Sequence, residues 1–206
     1  MRLGVLGGTF DPVHVGHLLL AEEAREQLGL ERVLFVPAGQ PWRKAGKRIS
    51  KATDRLAMLR LAAEDNPAFE VSDLEVSHLG PSYTGETLAT IRAEHKDAEI
   101  FFIMGEDALA DLPNWRDPDR IVELAMLAVA RRPSDSPEDR DLELMAIAPG
   151  REVWLSMPRI DVSSSEIRER VQKGLSVRYR MPNAVEAYIR GHKLYRENLR
   201  GAKSRR

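Results

Sequence analysis

Residues 7–17 read GGTFDPVHVGH and follow directly on the short apolar run Leu3-Gly4-Val5-Leu6. Two glycines and a Thr-Phe-Asp-Pro turn separate that run from Val15, where helical spacing begins and continues to Leu28. A short apolar run, a glycine turn and a helix start make a strand-turn-helix connection. Main-chain N–H groups at such a connection can face an anion. Gly4, Gly7 and Gly8 do not have the spacing of the G-x-G-x-x-G dinucleotide fingerprint, and no Gly-Lys-Ser/Thr closes the stretch as a Walker loop would require.

His14 and His17 lie one helical turn apart and share a face. Three readings compete: a metal site, a pair of donors beside a phosphate cradle, and two helix-face histidines without a chemical role. A zinc site needs at least a third protein ligand. The candidates are Asp11 and the scattered His78, His95 and His192, and no second cluster has ligand spacing. An imidazole can hydrogen-bond a phosphate oxygen whether neutral or charged, and its charge is tunable near neutral pH.

Beyond the turn, apolar runs alternate with helical patterns. Strands are expected at 3–6, 32–36, 69–72, 99–104, 126–130 and 152–156, and helices at 15–28, 53–66, 84–95, 117–124 and 138–148. Most runs are continuously apolar rather than alternating, as strands covered on both faces require. The order predicts an α/β fold with a doubly wound, mostly parallel sheet, whose ligands bind at the carboxyl ends of the strands near the reversal of strand order. From Val162 the pattern becomes helix, turn and helix, with Pro182 opening the last helix and Gly191 near its end. The final Arg-Gly-Ala-Lys-Ser-Arg-Arg is read as a solvated end. No repeat or linker divides the chain, so one domain is expected over 1–206, with a helical portion at 162–206.

Composition narrows the function. The 206 residues are 43% hydrophobic and 31% charged, with 31 basic against 32 acidic residues and a net charge of −1. A near-neutral chain is not a general trap for nucleic acid, so any polyanion must be met by local cations. The absence of cysteine excludes disulfides, thiolate metal sites and cysteine nucleophiles, and fits a reducing compartment. Neither a signal peptide nor a membrane-length apolar segment is visible, and the reading is cytoplasmic, without membrane or nucleic-acid partners.

The opening stretch, Gly-Gly-Thr-Phe-Asp-Pro-Val-His14-Val-Gly-His17, resembles the H-x-G-H signature of the nucleotidylyltransferase superfamily, in the form carried by bacterial nicotinate mononucleotide adenylyltransferases. The resemblance continues in order along the chain. Gly39-Gln-Pro-Trp-Arg-Lys44 is similar to the family's loop after the second strand, and Pro81-Ser-Tyr83-Thr84-Gly-Glu-Thr87-Leu to its S-Y-T-x-x-T-L segment. Gly105-Glu-Asp107 resembles its G-x-D, Trp115 stands where the family has a ring-stacking tryptophan, and Val162-Ser163-Ser164-Ser165-Glu-Ile-Arg168 resembles its I-S-S-T-x-I-R signature.

The resemblance implies a Rossmann-like nucleotidylyltransferase fold and adenylyl transfer from ATP to nicotinate mononucleotide, giving deamido-NAD and pyrophosphate in NAD biosynthesis. It implies catalytic roles for His14, His17, Lys44 and Arg168. ATP would be held by Gly7, Gly8, Thr9, Phe10, Gly105, Asp107 and Ser163 to Ser165 together with the two histidines and Arg168. The mononucleotide would meet Asp11, Lys44, Tyr83, Thr84 and Trp115. No protein metal site is implied; Mg²⁺ would be carried by the ATP phosphates. A homo-oligomer is left open.

The residues also allow blander roles. Ser163 with Glu166 reads as a helix cap, Asp107 as an N-cap, Asp11 as a turn former, Trp115 as core and the loop around Lys44 as solvated charge. Competing functions are the same transfer to nicotinamide mononucleotide or another phosphate acceptor, and a nucleotide-binding regulator without turnover. Tyr83, Thr84 and Trp115 favour the nicotinate substrate by resemblance. The intact His14, His17, Lys44 and Arg168 argue against the regulator.

Overall fold

The computed structural model describes residues 1–40, 49–78, 80–131 and 147–196. The first expected connection is present. Strand β1 (Arg2–Gly8) ends in the glycine turn, and helix α1 (Val15–Leu28) begins on its far side. The chain continues through β2 (Arg32–Pro37), α2 (Ala52–Ala63), β3 (Phe69–Val71), α3 (Thr84–Glu94) and β4 (Glu99–Gly105). Then come α4 (Glu106–Asp111), a short 3₁₀ turn (Leu112–Asn114), α5 (Pro118–Leu124), β5 (Met126–Arg131) and β6 (Glu152–Ser156). Helices α6 (Ser164–Gln172) and α7 (Asn183–Gly191) form the C-terminal portion.

Six strands make one sheet in the order β3-β2-β1-β4-β5-β6, with every neighbouring pair parallel. The order reverses between β1 and β4, where Leu6 lies opposite Ile103. The carboxyl ends of these strands therefore border the crevice in which open α/β sheets bind ligands. This is the expected doubly wound, Rossmann-like arrangement.

Side chains alternate between two cores across the sheet. Leu6, Phe35 and Ile103 pack on one face with residues of α1 and α2 and with Ile167, Val185 and Ile189 of the C-terminal helices. Leu3, Val5 and Phe102 pack on the other with Leu88 and Ile91 of α3, Leu109 of α4 and Ile121 of α5. Burial on both faces explains why the strands read as continuous apolar runs.

Some boundaries differ from expectation for local reasons. Helix α2 stops at Ala63, short of the expected 66; Asn66 precedes Pro67, and the residue before proline avoids the helical region. The Asn66 side chain instead accepts from the Ala68 amide. Helix α4 was not expected at all, because six residues at a strand end are too few to carry a helical period. The helix expected at 138–148 lies outside the described residues over 138–146, as does the chain end beyond 196. Among the described residues no helix is long and apolar enough to cross a membrane.

Candidate active site

Where β1 ends, the chain turns over its own phenylalanine. A Cβ on Gly8 would lie 2.9 Å from the Phe10 ring, so only glycine lets that ring lie against the strand end. Phe10 has φ 48° and is 2% exposed. Its ring meets Phe35 at 6.0 Å and, edge-on, His17 at 5.0 Å. Of the residues expected near ATP, Phe10 thus has its ring in the core, while Gly7, Gly8 and Thr9 carry the chain along the crevice.

His14 is the N-cap of α1 and His17 its third residue. Their rings stack with centroids 3.7 Å apart. The His14 main-chain N–H donates to Nδ1 of His17 at 3.2 Å. An accepting Nδ1 leaves the proton of a neutral His17 on Nε2, so that edge of the ring is a donor. His14 Nδ1 is buried without a hydrogen-bond partner. Burial lowers the His14 pKa from its ordinary 6.5 to about 4, keeping the ring neutral at physiological pH.

This burial makes stability depend on pH. The unfolded chain takes up a proton near pH 6.5 and the folded one only near pH 4. The contribution is therefore full above pH 6.5 and is lost as the pH falls through that window. Wild type should lose about 2 kcal/mol more than His14→Asn between pH 7 and pH 5, read from urea unfolding at each pH. Parallel pH profiles for the two proteins would remove this assignment.

The expected serine-rich signature is brought against the same turn. Ser163 caps α6 and accepts from the Glu166 amide at 3.1 Å, so the capping reading is present. The Glu166 carboxylate reaches Arg180. Ser164 donates to the Pro12 carbonyl at 2.9 Å. Arg168 donates through Nη1 to the Asp11 carbonyl at 2.7 Å and through Nη2 to Ser165 Oγ at 3.1 Å. Each of these nitrogens carries a second hydrogen, so the guanidinium retains donors. Two motifs some 150 residues apart in sequence are thereby one structure.

A cleft of about 620 Å³ opens beside them. Its walls include His14, His17, Gly105, Arg131, Ile160 and Ser163. That volume is in the range of a nucleotide-sized ligand site. Asp107 is exposed at the start of α4, but the N-cap there is Gly105, which corrects the capping role considered for Asp107.

Tyr83 and Thr84 stand at the far side of the sheet end, Tyr83 as N-cap and Thr84 as first residue of α3. The first amides of a helix have no partner within it, as expected for this segment. The Arg116 guanidinium lies over the Tyr83 ring at 4.3 Å. Neighbouring Trp115 is half-buried, edge-on to Phe102 at 6.2 Å, with Nε1 donating to Asp111 at 3.0 Å. Its core packing is real. A smaller hollow of about 180 Å³ touches Glu75, His78, Ser82, Tyr83 and Thr87. Lys44 falls within 41–48, outside the described residues.

Three supporting residues had no motif to announce them. Arg55, on α2, is 1% exposed. It donates to the carbonyls of Thr9 at 2.8 Å, Gly39 at 3.0 Å and Ser50 at 3.1 Å. Burial lowers its pKa, against the opposing charges of Asp11 and Glu75. Burial also raises the Glu75 carboxyl, although hydrogen bonds from Thr87 and the Gly39 amide favour its ionised form. A Cβ on Gly39 would lie 2.0 Å from the Glu75 carbonyl oxygen, so this close approach requires glycine. The third is Tyr195, which donates to Asp11 Oδ1 at 2.6 Å. Asp11 is 3% exposed, and its other oxygen accepts from the Ser50 amide. Its carboxylate is therefore occupied by protein donors.

The chain is similar to known proteins of one family. The cytidylyltransferase-like family model matches residues 5–170. A Thermomicrobium roseum protein named "Probable nicotinate-nucleotide adenylyltransferase" is 48% identical over 196 residues, covering 95% of this chain and 92% of the relative. A Roseiflexus protein of the same name is 47% identical over 195 residues, covering 94% and 98%. Among solved structures, the Plasmodium falciparum nicotinic acid mononucleotide adenylyltransferase complexed with NaAD superposes with a TM-score of 0.79 at 18% identity, covering 94% of this chain and 97% of that one. At that identity the likeness is one of fold.

Proposed function

This chain belongs to the cytidylyltransferase-like family, among the nicotinate-nucleotide adenylyltransferases, and we propose that it transfers the adenylyl group of ATP to nicotinate mononucleotide. A phosphate oxygen of the mononucleotide attacks the α-phosphorus of ATP. The bond from that phosphorus to the bridging oxygen breaks, and pyrophosphate leaves with deamido-NAD as the other product. The observation that carries the reading is the joining of the histidine turn to the α6 start by the Ser164 and Arg168 hydrogen bonds, beside a cleft of suitable size.

The acceptor is already a phosphate anion, so the protein needs no nucleophile and no general base. What it supplies is alignment of two anions and donors for the charge that develops on the transferring group. His17 acts through its Nε2 edge and His14 as its neutral neighbour. Arg168 and the hydroxyls and amides of Ser163 to Ser165 hold the phosphate chain of ATP. Gly7, Gly8, Thr9 and the main chain of Phe10 let the nucleotide approach β1, and Gly105 and Asp107 border its sugar. Lys44 adds positive charge at the phosphates. Asp11 serves the mononucleotide site by fixing the turn. The amides of Thr84 and its neighbours receive the ring carboxylate, with Tyr83 and Trp115 framing the ring.

Among the described residues no group of three or more His, Asp or Glu stands ready to hold a metal ion. Mg²⁺ would accompany the ATP phosphates, where it neutralises charge. We take 1–206 as one domain that includes the C-terminal helices. It sets the enzyme in the cytoplasm, which its cysteine-free composition suits.

The test is initial-rate pyrophosphate release with nicotinate mononucleotide, nicotinamide mononucleotide and 4'-phosphopantetheine offered in parallel. Preference for the first is expected. Turnover with only another acceptor would retain the reaction type and reject the ring site. In the same assay Trp115→Ala should raise KM for the mononucleotide by about tenfold and KM for ATP much less, as lost aromatic contact predicts. Equal changes would assign Trp115 to the core alone.

A further inference from the structure

Beyond α7 the chain returns to the candidate active site through the Tyr195 phenol. After α7 the chain makes two left-handed residues, Lys193 at φ 54° and Tyr195 at φ 61°. A bulky side chain at positive φ is strained and persists only where its surroundings hold it. Here the reward is the hydrogen bond from the Tyr195 hydroxyl to Asp11 Oδ1 across 184 residues of sequence. Asp11 is also bound by the Ser50 amide and, through its carbonyl, by Arg168. The start of the α2 approach, helix α6 and the C-terminal segment thus converge on one residue of the histidine turn.

We propose that Tyr195 is a positioning residue for adenylyl transfer, holding the buried carboxylate of Asp11 and through it the turn that presents His14 and His17. The inference rests on the reading of that turn as the phosphate site. Burial and the Asp11 charge both push the phenol pKa up, so Tyr195 stays a hydrogen donor at any working pH. Without it, one oxygen of a nearly inaccessible carboxylate loses its donor, and a short turn must move to find another.

The same segment contains its own control. Tyr188, on α7, donates to Asp54 Oδ1 at 2.9 Å. That bond also ties the C-terminal portion to the body of the protein, but at α2 rather than at the turn. Tyr188→Phe and Tyr195→Phe each delete one phenol-to-carboxylate bond from a neighbouring position. Tyr195→Phe should lower kcat about tenfold, the scale of a small misplacement of reacting groups. Tyr188→Phe should leave kcat within about twofold while still lowering the melting temperature.

A second readout needs no turnover. The ring resonances of His14 and His17 in the full-length protein should shift in Tyr195→Phe and stay in place in Tyr188→Phe. Equal kcat for the two variants, or unmoved histidine resonances in Tyr195→Phe, would overturn the proposal. A wild-type protein that transfers no adenylyl group would instead overturn the functional reading, and the resonances would still decide whether Tyr195 sets the turn.

Discussion

His17→Ala should lower kcat by about 10²-fold or more while the protein remains folded, the usual cost of losing one donor to charge that develops in a transition state. The expectation rests on the direction in which the ring is held. Its Nδ1 takes the His14 amide hydrogen, which commits Nε2 to donation. Its face stacks on His14, and its edge contacts the buried Phe10 ring. Such an imidazole is oriented before substrate arrives, so little reorganisation is needed during reaction. Removing the ring also deletes an acceptor at the helix start, which costs about 1 kcal/mol of stability. That loss is small enough to separate from the rate effect by unfolding measurements. A near-normal rate in the folded variant would show that His17 does not stabilise the transferring group.

Arg55→Met should cost about 3–5 kcal/mol, the range found when one member of a buried charge network is removed. The melting temperature should fall by on the order of 10 °C. Three main-chain carbonyls, of Thr9, Gly39 and Ser50, would lose their guanidinium donor together. Asp11 and Glu75 would also lose the cation that lies between their segments. Arg55→Lys should recover only part of the loss, because one ammonium cannot span three carbonyls arranged for a planar fork. Urea unfolding of both variants against wild type is the measurement. A loss under about 1 kcal/mol for Arg55→Met would mean that the three loops hold their positions without it.

Much of the fold was legible because burial on both sheet faces leaves each strand as a continuous apolar run. The start of α1 was legible from the glycine turn, and the start of α3 at Thr84 and of α7 after Pro182 from local residues alone. Helix α4 was not, since it follows β4 directly and lasts only six residues. The site divides in the same way. His14, His17, Ser163 to Ser165 and Arg168 belong to compact motifs, and the structure brings those motifs into contact.

Arg55, Glu75 and Tyr195 carry no such signal. In sequence Arg55 is one charged residue on an otherwise mixed helix. Its role exists only because the start of α2 meets the segments that follow β1 and β2. Tyr195 is more remote still, since its partner is at the other end of the chain. Asp11 shows the intermediate case: a turn former by residue type, it becomes the meeting point of distant segments only in the folded protein. Side chains that work by holding other groups are set by long-range contacts, and no short spacing reports them.

The central claim is that this site directs a mononucleotide phosphate to the α-phosphorus of ATP. It is tested most directly by following label from ATP labelled at the α-phosphate and, separately, at the γ-phosphate, with nicotinate mononucleotide and Mg²⁺ present. The account predicts α-label in the dinucleotide product and γ-label in pyrophosphate, both dependent on the acceptor. Label appearing in orthophosphate, or ATP bound without any transfer of the α-label, would contradict it.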